Sequence, residues 1–271
     1  MKKIAVFLSL CSGIWVTGCI DSGQVIPDVP ATTQNATQTT QQGANSNRSS
    51  TARTVTSSSL PATDGDCKTI LIDGSRDGGV WWFPQYGNFD ASQQHQGQGV
   101  ERRLLELGFK VDVLSRNQRV TSDLLSKYSV VIRANAFETY TDDEVNAYRE
   151  AVDRGITLAL FSDHFNNPHT DKVAAMLGVT FAGTLDGSLT DLTSNSLTQN
   201  LEGSTYVAGS YITASEGVKL SSLARMGDKT VMALMDHPRS RVFLMGDTNI
   251  LELTPALLDN LAKWMSDDCN H

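Results

Sequence analysis

Short apolar runs rich in β-branched residues alternate with stretches whose apolar positions recur every three or four residues, and this alternation occupies residues 68 to 266. It predicts strands and helices in turn. Thr69-Ile70-Leu71-Ile72 reads as a strand ending at Asp73 and Gly74, while Val100, Leu104, Leu105 and Leu107 mark a helix closed by Gly108. Phe109 to Leu114 and Tyr128 to Ile132 read as the next strands, with a short helix around Ser122 to Lys127 before the latter. Thr141-Asp142-Asp143-Glu144 has the form of a capping box, and the helix it opens carries Val145, Tyr148 and Val152 before Gly155 stops it. Ile156 to Phe161 is an almost continuous apolar run, the type of strand covered on both faces in a parallel sheet. Lys172 to Leu177 predicts a helix ending at Gly178, and Val231 to Met235 and Arg241 to Met245 predict two late strands. Thr254-Pro255 is expected to cap and open a final helix through Trp264 and Met265. Thr180 to Leu223, rich in Ser, Thr and Gly, reads as an elaboration on the sheet. The expected fold class is α/β, a mainly parallel sheet flanked by helices in a single domain over residues 67–271.

The pattern before this domain is of another kind. Lys2 and Lys3 precede a mostly apolar stretch from Ile4 to Val16, which has signal-peptide length and is short for a bilayer span. Val16-Thr17-Gly18-Cys19 follows, and it resembles the lipobox of bacterial lipoproteins. That resemblance implies cleavage after Gly18 and lipidation of Cys19, with residues 1–18 as the signal peptide. Two or three acyl chains make a stable anchor, because each buried methylene contributes about 0.8 kcal/mol. Ile20 after the cysteine resembles the pattern that permits sorting to the outer membrane in Gram-negative envelopes. Residues 19–66 then form the lipidated N-terminus and a Ser, Thr and Gln-rich tether, too polar to bury a core of its own. The expected localisation is the bacterial cell envelope, lipid-anchored at the outer membrane.

Of four cysteines, Cys11 leaves with the signal and Cys19 is claimed by lipid, so Cys67 and Cys269 remain at the two ends of the domain. In an oxidising envelope they read as a disulfide, with two free thiols as the alternative. Chain-entropy reasoning gives roughly 4 to 5 kcal/mol for so long a loop. The formal charge of −8, from 22 Lys and Arg against 30 Asp and Glu, offers no basic face for phosphate backbones and excludes nucleic acid as the expected partner.

In an open parallel sheet, ligands bind outside the carboxyl ends of the strands. The residues at those ends are Asp73, Asn135, Ser162-Asp163-His164 and Asp247, and they are candidates for a shared polar cleft. Each taken singly is equally a turn-forming residue, since Asp and Asn bond locally to the backbone. The long segment after the first strand carries Trp81, Trp82, Phe83 and Tyr86, flat apolar faces with polar rims suited to stacking on a ligand or to packing under the loop.

The pieces Ile70-Leu71-Ile72-Asp73, Gly155 to His164 and Ser240 to Asp247 together resemble the class I glutamine-amidotransferase-like fold, a flavodoxin-like architecture, in its uncharacterised and trehalose-utilisation-like branch. The amidotransferases carry a nucleophilic cysteine, in a glycine-flanked elbow, at the turn where this chain has Ser162-Asp163-His164. With Cys67 and Cys269 both distant in sequence, glutaminase chemistry is not expected. The reading that follows is a membrane-anchored domain that binds an envelope glycan, a small polar ligand or a protein partner through Asp73, Trp81, Trp82, Asn135, Asp163, His164 and Asp247. It requires no cofactor. The alternative is an envelope hydrolase, either with Ser162 as nucleophile assisted by His164, or with Asp73, Asp163, His164 and Asp247 holding a divalent metal that activates water. No Gly-x-Ser-x-Gly elbow supports the serine version, and the spacing of the acids matches no compact metal motif.

Overall fold

In the computed structural model, parallel strands β1 (Thr69–Asp73), β2 (Lys110–Leu114), β3 (Val130–Arg133), β4 (Thr157–Phe161) and β10 (Arg241–Met245) form one half of a mixed sheet. The structure describes residues 68–77, 96–114, 116, 118–163 and 171–267, all within one compact unit, Ser59–His271. The signal, Cys19, the tether, Cys67, Trp81, Trp82, His164 and Cys269 lie outside the described residues. Among the described residues, no helix is long and apolar enough to cross a membrane.

The sheet order is β2-β1-β3-β4-β10-β9-β7-β5. From β10 outward the neighbours are antiparallel: β9 (Lys229–Met235), then β7 (Thr205–Ala214) and β5 (Val179–Ser188). On a side branch, β8 (Leu220–Met226) pairs with β9 and with the two-residue β6 (Asp191–Leu192). The polar Thr180 to Leu223 region is thus an extension of the sheet, as expected, but its strands β5 and β7 are the longest among the described residues, ten residues each. Their weak apolar signal follows from their surroundings. Along β5 only Val179 and Phe181 are buried, and polar side chains are tolerated where the strand meets water.

Helices cover both faces. α1 (Gln96–Glu106) and α6 (Pro255–Ser266) bury Val100, Leu104, Leu257, Leu261 and Trp264 against Ile70, Ile72, Ile132, Phe161 and Phe243. On the other face α2 (Ser122–Leu125), α3 (Asp142–Arg154) and α4 (Lys172–Met176) pack against Leu71, Val131, Leu158, Leu160 and Leu244. β4 is buried at every position, as its composition predicts.

Both bonds of the capping box form at the start of α3: the Glu144 amide donates to Thr141 Oγ1, and the Thr141 amide donates to Glu144 Oε2 at 2.9 Å. Gly155 ends the helix at φ 100°, a backbone state that a side chain would strain. Thr254 departs from expectation. It precedes α6 but makes no side-chain cap bond, and the helix start relies on Pro255, whose missing amide hydrogen needs no partner there. α5 (Ile250–Leu253) lies between β10 and α6, in a stretch to which the apolar pattern assigns no element.

Candidate functional site

Parallel pairing brings the carboxyl ends of β1, β3, β4 and β10 to one edge of the sheet, in that spatial order. Asp73, Asn135, Ser162, Asp163 and Asp247 therefore belong to a single crest, and all five are buried. What each side chain bonds to divides the crest into two halves.

In the β4/β10 half, the stretch 206–210 of β7 passes over the end of β10. The Ser210 amide donates to Gly246 O at 2.6 Å, and the Val207 amide donates to Asp247 Oδ2 at 2.9 Å. Asp247 Oδ1 accepts from the Asn249 amide at 2.7 Å, and Asn249 Nδ2 donates to Val207 O at 3.1 Å. Close approach of the two backbones explains the glycines. A Cβ on Gly246 would overlap Ser210 O and the Tyr206 hydroxyl, and one on Gly209 would lie 2.7 Å from Asp247 Cβ. Ala208 takes the left-handed backbone at φ 50°, with its amide donating to Asp186 Oδ1 at 2.7 Å.

Beneath this strap, Thr248 Oγ1 donates to Asp163 Oδ2, Tyr206 donates its hydroxyl to Ser210 O, and Ser210 Oγ donates to Asp163 O at 3.0 Å. Ser162 Oγ lies 3.5 Å from both Ser210 Oγ and Asp163 O and is fully buried. Burial pushes the Asp247 carboxyl up to about 7, helped by the charge of Asp163 and opposed by the amides it accepts from. This half has the character of a scaffold, with polar groups bonded to each other and to backbone.

In the β1/β3 half, Asp73 is saturated in the same manner. Its Oδ1 accepts from the Ser75 amide at 2.9 Å, and its Oδ2 accepts from Tyr140 at 2.9 Å and Tyr148 at 2.6 Å. Burial, and then the Asp73 charge, push both tyrosine hydroxyls well above their ordinary range, which keeps them protonated donors. The loop after β1 is tied to α3 by Arg76, whose Nη2 donates to Glu144 Oε1 at 2.6 Å. Burial works against the Glu144 charge, but the Thr141 amide and Arg76 hold its carboxyl below the usual range.

Arg133 ends β3 beside Asp73 in register and is fully buried. Its Nη2 donates to Asp171 Oδ2 at 2.8 Å, while Asp171 Oδ1 caps α4 by accepting from the Ala174 amide at 3.0 Å. Burial disfavours the guanidinium charge, but Asp171 and the tyrosines more than offset this and hold its pKa above the ordinary value. The rest of this half is not satisfied: Arg133 Nε and Nη1, both amide atoms of Asn135, and Ser75 Oγ are buried without a hydrogen-bond partner among the described residues.

The structure thus sets the described strand-end candidates along one edge of the sheet, with Asp73 in one hydrogen-bond network and Asp163 and Asp247 in another. Asp73, Asp163 and Asp247 have carboxylate oxygens engaged by protein donors, so the proposed metal set of Asp73, Asp163, His164 and Asp247 has little free ligand capacity in its described members. No group of three potential metal ligands occurs among the described residues. Ser162 presents no exposed hydroxyl, and the described residues supply it no imidazole; His164 lies outside them.

Arg133, Tyr140, Tyr148 and Asp171 were not among the sequence candidates. Their signal was an arginine directly after Val130-Val131-Ile132, at a position the strand reading ended one residue short of. A 580 Å³ groove lined by Lys219, Leu220, Ser221, Leu234, Met235 and Asp236 lies away from the crest, where Met235 pairs with Val242 at the start of β10.

No family model matches the chain, and no curated protein matches it. Solved structures do. It is similar to the mmIFT52 N-terminal domain at 13% identity and TM-score 0.54, over 73% of this chain and 97% of that one. A ThuA-like protein from Bacteroides uniformis matches at 16% identity and TM-score 0.50, over 73% of this chain and 90% of that one. The β-galactosidase from Rahnella sp. R3 matches at 17% identity and TM-score 0.50, over 73% of this chain but only 31% of the enzyme. At such identities the likeness is one of fold, and the ThuA-like neighbour agrees with the class I glutamine-amidotransferase-like architecture that the sequence resembles.

Proposed function

We propose that this is an envelope lipoprotein, anchored through Cys19 and spaced from the membrane by residues 19–66, whose domain binds a small polar ligand at the crest of the parallel strands without catalysing a reaction. The single observation that carries the binding reading is Asn135, a buried side-chain amide at the end of a central strand whose oxygen and nitrogen have no partner among the described residues. A buried amide left in that state costs about 1–3 kcal/mol per group, so its presence calls for a partner that the described residues do not supply. Trp81 and Trp82, which follow Asp77 in the sequence, are the proposed apolar contacts of that ligand.

Anchoring rests on Val16-Thr17-Gly18-Cys19 and outer-membrane placement on Ile20. The test has two arms. Cys19→Ser is expected to abolish incorporation of labelled palmitate and to release the protein from the membrane fraction; retention of label at another residue contradicts the anchor. Trp81→Ala combined with Trp82→Ala is expected to abolish binding to envelope extracts with an unchanged melting temperature. Equal loss of folding assigns those tryptophans to packing. The proposed Cys67–Cys269 disulfide is checked by mass spectrometry of the non-reduced protein, where two free thiols refute it.

A further inference from the structure

The unpartnered groups at the β1/β3 crest have a definite chemical complement. Arg133 Nε and Nη1 and Asn135 Nδ2 are donors, Asn135 Oδ1 is an acceptor, and Ser75 Oγ serves as either. All three residues lie within two positions of the register pair Asp73↔Arg133: the Ser75 amide bonds to the Asp73 carboxylate, and the amide of Ala134, next to Asn135, donates to Asp73 O at 3.1 Å. They thus stand at the same end of two adjacent strands.

Charge narrows the complement further. Among the described residues, the buried charged side chains of this half are Asp73, Asp77, Glu144 and Asp171 against Arg76 and Arg133, an excess of negative charge. Both arginines already have carboxylate partners, Glu144 for Arg76 and Asp171 for Arg133. An incoming anion would meet a negative surplus in a poorly solvated place, where like charges repel strongly. The free arginine donors therefore call for acceptors that carry no net charge, while Asn135 Oδ1 calls for a donor on the same molecule. Hydroxyl groups meet both demands, since each donates one hydrogen and accepts through two lone pairs.

From these residues we infer a subsite for a neutral, polyhydroxylated ligand, formed by Arg133, Asn135 and Ser75 and selective against anions. The inference rests on the crest-binding reading above and adds the ligand's class and the residues that recognise it. Arg133 is held in place by Asp171, and its unshared N–H groups do the recognition. The competing occupant is ordered water, which needs only two to four polar partners.

The test is saturation-transfer NMR on the full-length lipidated protein in detergent micelles. One set of probes is myo-inositol, glucose and N-acetylglucosamine; the other is acetate, with phosphate and sulfate followed by equilibrium dialysis. At least one polyol is expected to bind and the anions are not. Asn135→Ala is expected to weaken polyol affinity about tenfold and Ser75→Ala several-fold, with melting temperatures held. Arg133→Lys, which keeps the charge but loses the fixed fork, is expected to weaken binding as well. Polyol binding undiminished in Asn135→Ala and Ser75→Ala overturns the subsite. Binding of an anion that Asn135→Ala abolishes overturns the neutral class while leaving a crest site standing. No binding of any probe overturns the inference in favour of water, and if Asn135→Ala also leaves binding to envelope extracts intact, the crest-binding reading falls with it.

Discussion

The two halves of the crest start from the same materials: acidic and amide side chains at the ends of adjacent parallel strands, all removed from water. In the β4/β10 half a strap of backbone crosses the strand ends, and Asp163, Asp247, Ser162 and Ser210 bond among themselves, to Thr248 and to that strap. In the β1/β3 half the carboxylate of Asp73 is equally well satisfied, yet the groups beside it on Arg133, Asn135 and Ser75 find no partner among the described residues. Residue type does not separate scaffold from site here, because both halves are rich in the Asp, Ser and Asn that sequence reading selects. Completeness of hydrogen bonding does, since a buried polar group that the fold leaves unpaired costs stability and is retained for a reason.

The largest effect should come where the two roles meet. Arg133→Met leaves Asp171 buried without its cation and is expected to destabilise the domain by about 3–5 kcal/mol in urea titration. Adding Asp171→Asn should restore much of that loss, because the uncompensated charge is gone. If the single variant is as stable as the parent, the guanidinium is not held by an ion pair and the β1/β3 half is misread.

Next is the strap. Gly246→Ala places a methyl against Ser210 O and is expected to cost about 3 kcal/mol by forcing β7 off the end of β10. A variant melting within a degree or two of the parent would mean that the strap does not clamp the crest. In the other half, Tyr148→Phe removes one donor to the buried Asp73 carboxylate and should cost about 1.5–3 kcal/mol.

A smaller effect reads the strap through pH. Asp247 titrates at about 7 in the folded state, above the ordinary carboxyl value near 3.9, so the native state holds this proton where the unfolded chain has released it. Stability from this group is therefore greatest below about pH 4 and declines as pH rises to 7, by up to about 1.4 kcal/mol per pH unit. Asp247→Asn should flatten that slope in denaturation curves collected across the window; an unchanged slope assigns the titration elsewhere. Smallest of all, Ser162→Ala should alter stability by less than about 1 kcal/mol and leave ligand binding untouched, since its hydroxyl makes only long contacts.

Much of the frame was legible in the chain. The Thr141–Glu144 box, the αL glycine at 155 and the apolar run at 157–161 each act locally, so composition and spacing sufficed. The position of Asp73, Asn135, Asp163 and Asp247 along one edge was legible too, because parallel strands put their carboxyl ends on the same side of the sheet. The strap over β10 was not. It depends on Gly209, Gly246 and the left-handed Ala208, whose effect appears only when two distant backbones meet. Arg133 stayed hidden for a similar reason: its ion pair joins residues 38 apart, and nothing local announces Asp171 as its partner.

The claim that one half of the crest binds and the other half holds is tested most directly by following backbone amide resonances during titration with myo-inositol, glucose and N-acetylglucosamine. The account predicts saturable shifts at Ser75, Ala134 and Asn135, with Val207, Asp247 and Thr248 unmoved. Shifts confined to Val207, Asp247 and Thr248, or none in either half, would contradict it.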